Sequence, residues 1–195
     1  MRKIAVFASG SGTNFQALAE ACYSGIIEAQ CVLCVTDKPG AYVTQRAKSF
    51  NVPTLELRQK DFPSKAEFEK EILKKLRSLD VDLICLAGYM RIVGDTLLDA
   101  YPGKIVNIHP SLLPAFRGVD AIGQALDYGV KVFGVTIHYV DNTLDGGKII
   151  AQAPVEYDGT DRRVVEAMIH EQEHLLYPKT VARLIHEMGD KPEYL

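Results

Sequence analysis

No window of the 195-residue chain approaches the roughly 18 consecutive apolar residues that a membrane span requires; even the run Leu83 to Ala87 is closed at once by Gly88. The first residues, Met1-Arg2-Lys3, lead into a short apolar stretch, Ile4 to Ala8, that is too brief for a secretory signal, so a cytoplasmic protein is expected. Cysteine is scarce. Four residues, Cys22, Cys31, Cys34 and Cys85, are too few for a disulfide scaffold in a chain of this length. Cys31 and Cys34 form a C-x-x-C, but residues 30–36 read as a β-strand, in which positions i and i+3 face opposite sides; core thiols, not a redox or metal centre, are expected. Charge of either sign is not in excess: 22 Lys and Arg against 25 Asp and Glu leave a net charge of −3, which argues against a protein held to nucleic acid by phosphate neutralisation. What is present is ordinary globular composition, 47% hydrophobic and 24% charged. A chain this long buries roughly 70% of its unfolded surface, enough for one core without metal or disulfide support. One domain over 1–195 is the expectation.

The order of elements predicts an α/β fold. Residues 3–8 are an apolar run ending in Ser-Gly-Ser-Gly, followed by helical spacing at Phe15, Leu18, Ala19 and Cys22. The alternation returns as strand 31–36, helix 43–50, strand 53–57, helix 64–79 and strand 82–87, the pattern of a parallel sheet. Ser64 and Glu67 form a capping box ahead of the third helix, whose Phe68, Ile72, Leu73 and Leu76 share one face. Beyond Gly88 the pattern changes: a strand at 104–108, a helix at 120–128, and strands at 131–140 and 148–155 separated by the turn 142–147, as a hairpin or as neighbouring antiparallel strands. Residues 161–188 read as one long helix with a break near Pro178, and 189–195 as a polar tail. The expected architecture is an open, mostly parallel Rossmann-like sheet with helices on both faces and an antiparallel C-terminal portion. Ligands of such sheets bind at the carboxyl ends of the strands.

Three groups of residues stand where chemistry is expected. Gly10-Ser11-Gly12-Thr13-Asn14 links a strand to a helix, where glycines let backbone N–H groups approach an anion and the helix N-terminus adds partial positive charge. Phe15 occupies the place of the third glycine of a dinucleotide fingerprint, and no Gly-Lys-Ser/Thr follows, so a monophosphate fits better than a dinucleotide or a triphosphate. A plain glycine turn capped by Thr13 or Asn14 is the structural alternative. Second, Asn107 and His109 lie two apart on a strand and present an amide and an imidazole to one spot, just before a loop stiffened by Pro110 and Pro114. Third, Asp145 precedes Gly146 and Gly147; alone it reads as a solvent turn, but beside His109 its carboxylate would favour the imidazolium.

Together these segments resemble the phosphoribosylglycinamide formyltransferase family of folate-dependent enzymes. The resemblance spans essentially the whole chain and rests on the loop Ser9 to Gln16, Ala87-Gly88-Tyr89-Met90-Arg91-Ile92, the run Asn107 to Pro114, Leu144-Asp145-Gly146-Gly147, and Gln172-Glu173-His174. It implies transfer of the formyl group of 10-formyltetrahydrofolate, the co-substrate, to the amine of glycinamide ribonucleotide in purine biosynthesis. By the same resemblance Gly12, Thr13 and Asn14 hold the ribonucleotide's phosphate and Glu173 its glycinamide end; the family pattern has Ser where this chain has Thr13, whose hydroxyl donates similarly. The folate pocket maps onto Met90, Arg91, Ile92 and Val93, with Asn107 and the backbone from Asp141 to Leu144 on the pterin side. Lys65 maps onto a basic loop residue that meets the folate glutamate tail, here as a point charge without an arginine's bidentate fork.

The implied reaction is attack of a neutral amine on the formyl carbon through a tetrahedral intermediate. Asn107 and a protonated His109 are expected to donate to its oxygen. Asp145 is expected to relay the proton through water and keep His109 charged. That chemistry calls for no metal and no covalent enzyme intermediate; the partners are small molecules, not nucleic acid or membrane, and the chain is a monomer or a homodimer. Asn-x-His with a downstream Asp also occurs in methionyl-tRNA formyltransferases and formyltetrahydrofolate hydrolases. Those are expected to carry a further C-terminal or N-terminal domain, so the length favours the ribonucleotide enzyme. A dinucleotide-binding domain would leave Asn107, His109 and Asp145 unexplained.

Overall fold

A computed structural model describes residues 1–189; the expected polar tail lies outside the described residues from position 190 on, and Gly189 itself ends the last helix. The elements are β1 (Arg2–Phe7), α1 (Thr13–Tyr23), β2 (Ala29–Thr36), α2 (Val43–Ser49), β3 (Thr54–Glu56), a 3-10 turn (Gln59–Asp61), α3 (Lys65–Ser78), β4 (Leu83–Leu86), α4 (Asp95–Ala100), β5 (Ile105–His109), α5 (Ala121–Tyr128), β6 (Val132–Tyr139), β7 (Ile149–Glu156) and α6 (Arg162–Gly189). The strands form one sheet in the order β3-β2-β1-β4-β5-β6-β7. The first five are parallel and β6 and β7 are antiparallel, as the change of pattern after Gly88 predicts. Chain order reverses between β1 and β4, so the loops leaving their carboxyl ends splay apart and open a crevice.

Each face of the sheet carries its own apolar layer. Ile4, Val6, Leu83, Cys85, Val106 and Ile108 face α1, α2, α5 and α6, whereas Ala5, Phe7, Ile84, Leu86 and Ile105 face Phe68, Ile72 and Leu76 of α3 and Leu97 of α4. Strict alternation produces this division, because both faces of a parallel sheet must be covered. Ser64 caps α3 by accepting the amide of Glu67 at 3.2 Å, while the Glu67 carboxylate pairs with Lys70.

Three expectations are corrected. Cys31 and Cys34 share a face: the register passes from Ile4–Cys31 to Ala5–Leu33, so Val32 is an extra residue on β2, and this bulge reverses the alternation between the two cysteines. They lie with Cys85, and with the half-buried Cys22, in the layer beneath α1 as free thiols. Burial pushes Cys34 up to about 12 and Cys22 to about 11, far from a reactive thiolate. The helix α6 is not broken at Pro178, which is buried; Tyr177 and Val181 on either side are fully buried in the α6-facing layer, and packing holds the helix through the missing N–H. The short helix α4 was not expected: six residues give too little periodicity to read, and its start is set by a distant side chain described below. Among the described residues no helix is long and apolar enough to cross a membrane.

Candidate functional site

Asn107 and His109 occupy the last turns of pleat on β5, and the β6–β7 loop folds back over them carrying Asp145. That loop is closed by Gly147, where any Cβ would strike the Tyr139 carbonyl, so only glycine lets the chain pass. Asp145 itself has φ +48°, a left-handed conformation that Asp tolerates better than most residues and that aims its side chain back at β5. Its carboxylate is 11% exposed. Oδ2 accepts the Gly118 amide at 2.8 Å and lies 3.5 Å from His109 Nδ1, while Oδ1 lies 3.8 Å from His138 Nε2. The structure thus brings together three residues that the sequence separates by up to 38 positions, counting from Asn107 to Asp145 (145 − 107).

The hydrogen bonds assign the donors. His109 Nε2 donates to the Phe116 carbonyl at 2.8 Å, which leaves Nδ1, in its long contact with Asp145, as the ring position able to turn to a substrate oxygen. His138, which sequence reasoning missed, sits between the other two: its Nδ1 donates to the Tyr139 carbonyl at 2.8 Å, so Nε2 bears the lone pair and accepts from Asn107 Nδ2 at 3.2 Å. One N–H of the Asn107 amide is thereby fixed, and the other remains for a ligand. The sequence shows Thr136 and His138 as alternate polar residues on a strand whose other residues are Val, Phe, Gly, Ile and Tyr, a pattern that a core histidine would share.

Burial holds the His138 ring below the ordinary value of 6.5, partly opposed by the Tyr139 carbonyl and the Asp145 charge. A histidine kept neutral in the fold but charged in the unfolded chain contributes stability that is present above pH 6.5 and lost as the pH falls toward the depressed folded value. In thermal melts from pH 7.5 to 5.5, the stability advantage of the wild type over His138→Gln is expected to shrink with falling pH; a gap that stays constant would contradict a neutral His138.

The glycine loop after β1 lies on the opposite side of the crevice. Gly12 has φ +77°, and a side chain there would run into Val43, so glycine is required for the turn into α1. Thr13 opens α1, whose first amides have no partner within the helix. Asn14 is not directed at the loop: it donates to Glu173 Oε2 of α6 at 3.0 Å, so residues expected at opposite ends of one ligand touch each other. Glu173 is buried and also meets His170 Nδ1 at 2.9 Å, a bond that raises the His170 pKa. Buried atoms Asn14 Oδ1 and His174 Nε2 have no hydrogen-bond partner among the described residues. Tyr177, one turn beyond Glu173, fixes α6 over the strand ends by donating to the Leu86 carbonyl at 2.8 Å, with the Val106 carbonyl at 3.3 Å.

The segment from Met90 to Val93 leaves β4 beside the glycine loop. Met90 and Ile92 are 71% and 65% exposed, whereas Val93 is buried in the α3-facing core and has only its backbone to offer a ligand. The Arg91 guanidinium is held by Asp37 at 3.0 Å and Gln59 at 3.1 Å. Lys65, the first residue of α3, stands beside Gly94 at the far end of this segment. Asp141 accepts the Thr143 amide at 2.8 Å and shapes the loop that carries the exposed Leu144. Among the described residues, no group of three or more His, Cys, Asp or Glu is placed to hold a metal ion.

Comparisons with known proteins show the family to which the chain belongs. The chain is 50% identical to the phosphoribosylglycinamide formyltransferase of Bacillus subtilis over 186 residues, 95% of each chain. It is 41% identical to that of Haemophilus influenzae over 182 residues, 93% of this chain and 86% of the other. The crystal structure of glycinamide ribonucleotide transformylase 1 from Geobacillus kaustophilus superimposes with a TM-score of 0.92 at 54% identity, covering 95% of this chain and 99% of that one. A sequence model of the formyl transferase family matches residues 2–181, and the chain belongs to that family.

Proposed function

We propose that the chain transfers the formyl group of 10-formyltetrahydrofolate to the amine of glycinamide ribonucleotide, and that 1–195 acts as one formyltransferase domain. The observation that carries the reading is the meeting of His109 and Asp145 at the end of β5, with Asn107 joined to them through His138. An amide N–H and an imidazole N–H directed at a carbonyl oxygen stabilise the charge that grows there when an amine adds to its carbon. The new C–N bond forms as the carbonyl electron pair moves to that oxygen; collapse of the intermediate then breaks the bond to N10 of the folate. The amine loses a proton and N10 gains one. In this reading Asp145 accepts that proton and relays it through water.

In this reading Thr13, Gly12 and the unpaired amides of the first turn of α1 hold the phosphate. Asn14 and Glu173 meet the glycinamide end, Asn14 chiefly by fixing the carboxylate. The folate lies along Met90, Arg91, Ile92 and Val93, its pterin side near Asn107 and the loop 141–144, with its acidic tail toward Lys65. Val93 contributes main-chain groups only. Holding two substrates in line across the crevice accounts for several kcal/mol of barrier lowering by itself.

A spectroscopic formyl-transfer assay with and without glycinamide ribonucleotide tests the assignment. Product is expected only when the ribonucleotide is present; tetrahydrofolate released in its absence would identify a hydrolase instead. In the same assay Thr13→Ala is expected to raise the KM for the ribonucleotide several-fold while leaving that for the folate within about twofold, since one charge-assisted hydroxyl bond is lost. The reverse ordering would mean that the two pockets are exchanged.

A further inference from the structure

Residues 87–94 join β4 to α4 without regular structure, yet both ends of this strap are fixed by buried carboxylates. At the near end Ser9, just past β1, donates its hydroxyl to Asp37 Oδ1 at 2.5 Å and accepts the Met90 amide at 2.8 Å. The other oxygen of Asp37 holds Arg91 Nε at 3.0 Å. At the far end Glu69 of α3 accepts the Gly94 amide at 2.7 Å, and a Cβ at Gly94 would sit 3.0 Å from both a Glu69 oxygen and the Lys65 stem. Ser9, Asp37 and Glu69 are all buried. Along the strap, the side chains of Met90 and Ile92 are exposed.

Burying a carboxylate is unfavourable unless it is paired, and apolar residues would fill the same space at lower cost. Burial indeed pushes the Glu69 carboxyl above its ordinary range. Neither Asp37 nor Glu69 is hydrogen-bonded to Asn107, His109, His138 or Asp145, and neither belongs to a helix-to-helix ion pair. What the two share is the strap: one end each. A binding segment with no ladder of its own must be ordered either in advance or at the moment of binding, and prior ordering removes that entropic cost from the affinity.

We propose that Asp37 and Glu69 are positioning residues for the folate substrate, acting through the 87–94 strap that Ser9, Arg91 and Gly94 tie to them. The proposal rests on the reading of that strap as folate-facing. It predicts a selective effect. Asp37→Asn and Glu69→Ala each weaken tetrahydrofolate binding by about tenfold or more, the scale of a lost hydrogen bond to a charged group. Affinity for glycinamide ribonucleotide stays within about threefold, and kcat at saturating folate falls far less than kcat/KM for folate. Glu69→Gln, which keeps an acceptor for the Gly94 amide but not the charge, recovers part of the loss.

Titration calorimetry with tetrahydrofolate and, separately, with glycinamide ribonucleotide reads these effects on the wild type and the three variants, beside steady-state kinetics and melting temperatures. A wild type that binds the ribonucleotide but not tetrahydrofolate overturns the proposed function, and with it this inference. A wild type that binds both, with variants whose tetrahydrofolate affinity is unchanged, overturns the positioning role alone. So does a parallel loss of both ligands that tracks a fall in melting temperature, because it would mark the carboxylates as supports of the fold and nothing more.

Discussion

Replacing Asp145 by Asn should lower kcat by about 100- to 10,000-fold, the span attributed to a positioned acid–base group, while tetrahydrofolate binding stays within about threefold. The substitution is nearly isosteric, and the amide oxygen can still accept the Gly118 N–H that holds the loop at 2.8 Å. What disappears is the carboxylate that faces two imidazoles at 3.5 and 3.8 Å, and with it the oxygen that takes a proton from the amine in the proposed reaction. An uncharged side chain at this position leaves His109 Nε2 its acceptor at the Phe116 carbonyl but removes the carboxylate that lies 3.5 Å from Nδ1. Steady-state kinetics and calorimetry on one preparation separate the two quantities. Turnover within a few-fold of the wild type would remove Asp145 from the proton path.

The proposed donors to the formyl oxygen give the second large effect. Asn107→Ala and His109→Ala are each expected to cost about 100- to 1000-fold in kcat, the usual consequence of deleting one donor from an oxyanion site. The double variant should lose less than the product of the two, because groups that act on the same atom are not additive. Asn107→Ala also strands the Nε2 lone pair of His138, which accepts from the Asn107 amide at 3.2 Å. Part of its effect is therefore repacking, and Asn107→Asp, which keeps the shape but cannot donate, is the informative companion. Near-normal turnover in either alanine variant would refute the assigned donors.

The sheet and its flanking helices are legible in the sequence because both rest on local period. Strands 31–36 and 82–87 and the helix from Ser64 are read within a residue or two of β2, β4 and α3, apart from the two extra residues at the start of β2. Features set by distant contacts are not. The bulge at Val32 depends on register with β1, the start of α4 on the Glu69 carboxylate that accepts the Gly94 amide, and the continuity of α6 through Pro178 on burial of both flanks. The candidate site divides the same way. Asn107 and His109 can be read as a pair from alternation on one strand. Asp145 can be placed beside them only by resemblance, since the loop that returns it is fixed by Gly147, whose close neighbour is the Tyr139 carbonyl at the end of β6. His138 escapes notice because a buried polar residue in a β-branched strand is indistinguishable, without coordinates, from a satisfied core histidine. Asn14 against Glu173 is likewise invisible, as 159 positions separate them.

The most direct measurement is a structure of the chain with glycinamide ribonucleotide and an unreactive 10-formyl folate analogue bound together. The formyl oxygen should lie about 3 Å from both Asn107 Nδ2 and His109 Nδ1, with the ribonucleotide amine in line with the formyl carbon and the Asp145 carboxylate within reach of that amine directly or through one water. A formyl group directed away from the end of β5, or an amine separated from it by the Met90–Val93 segment, would contradict the reaction centre described above.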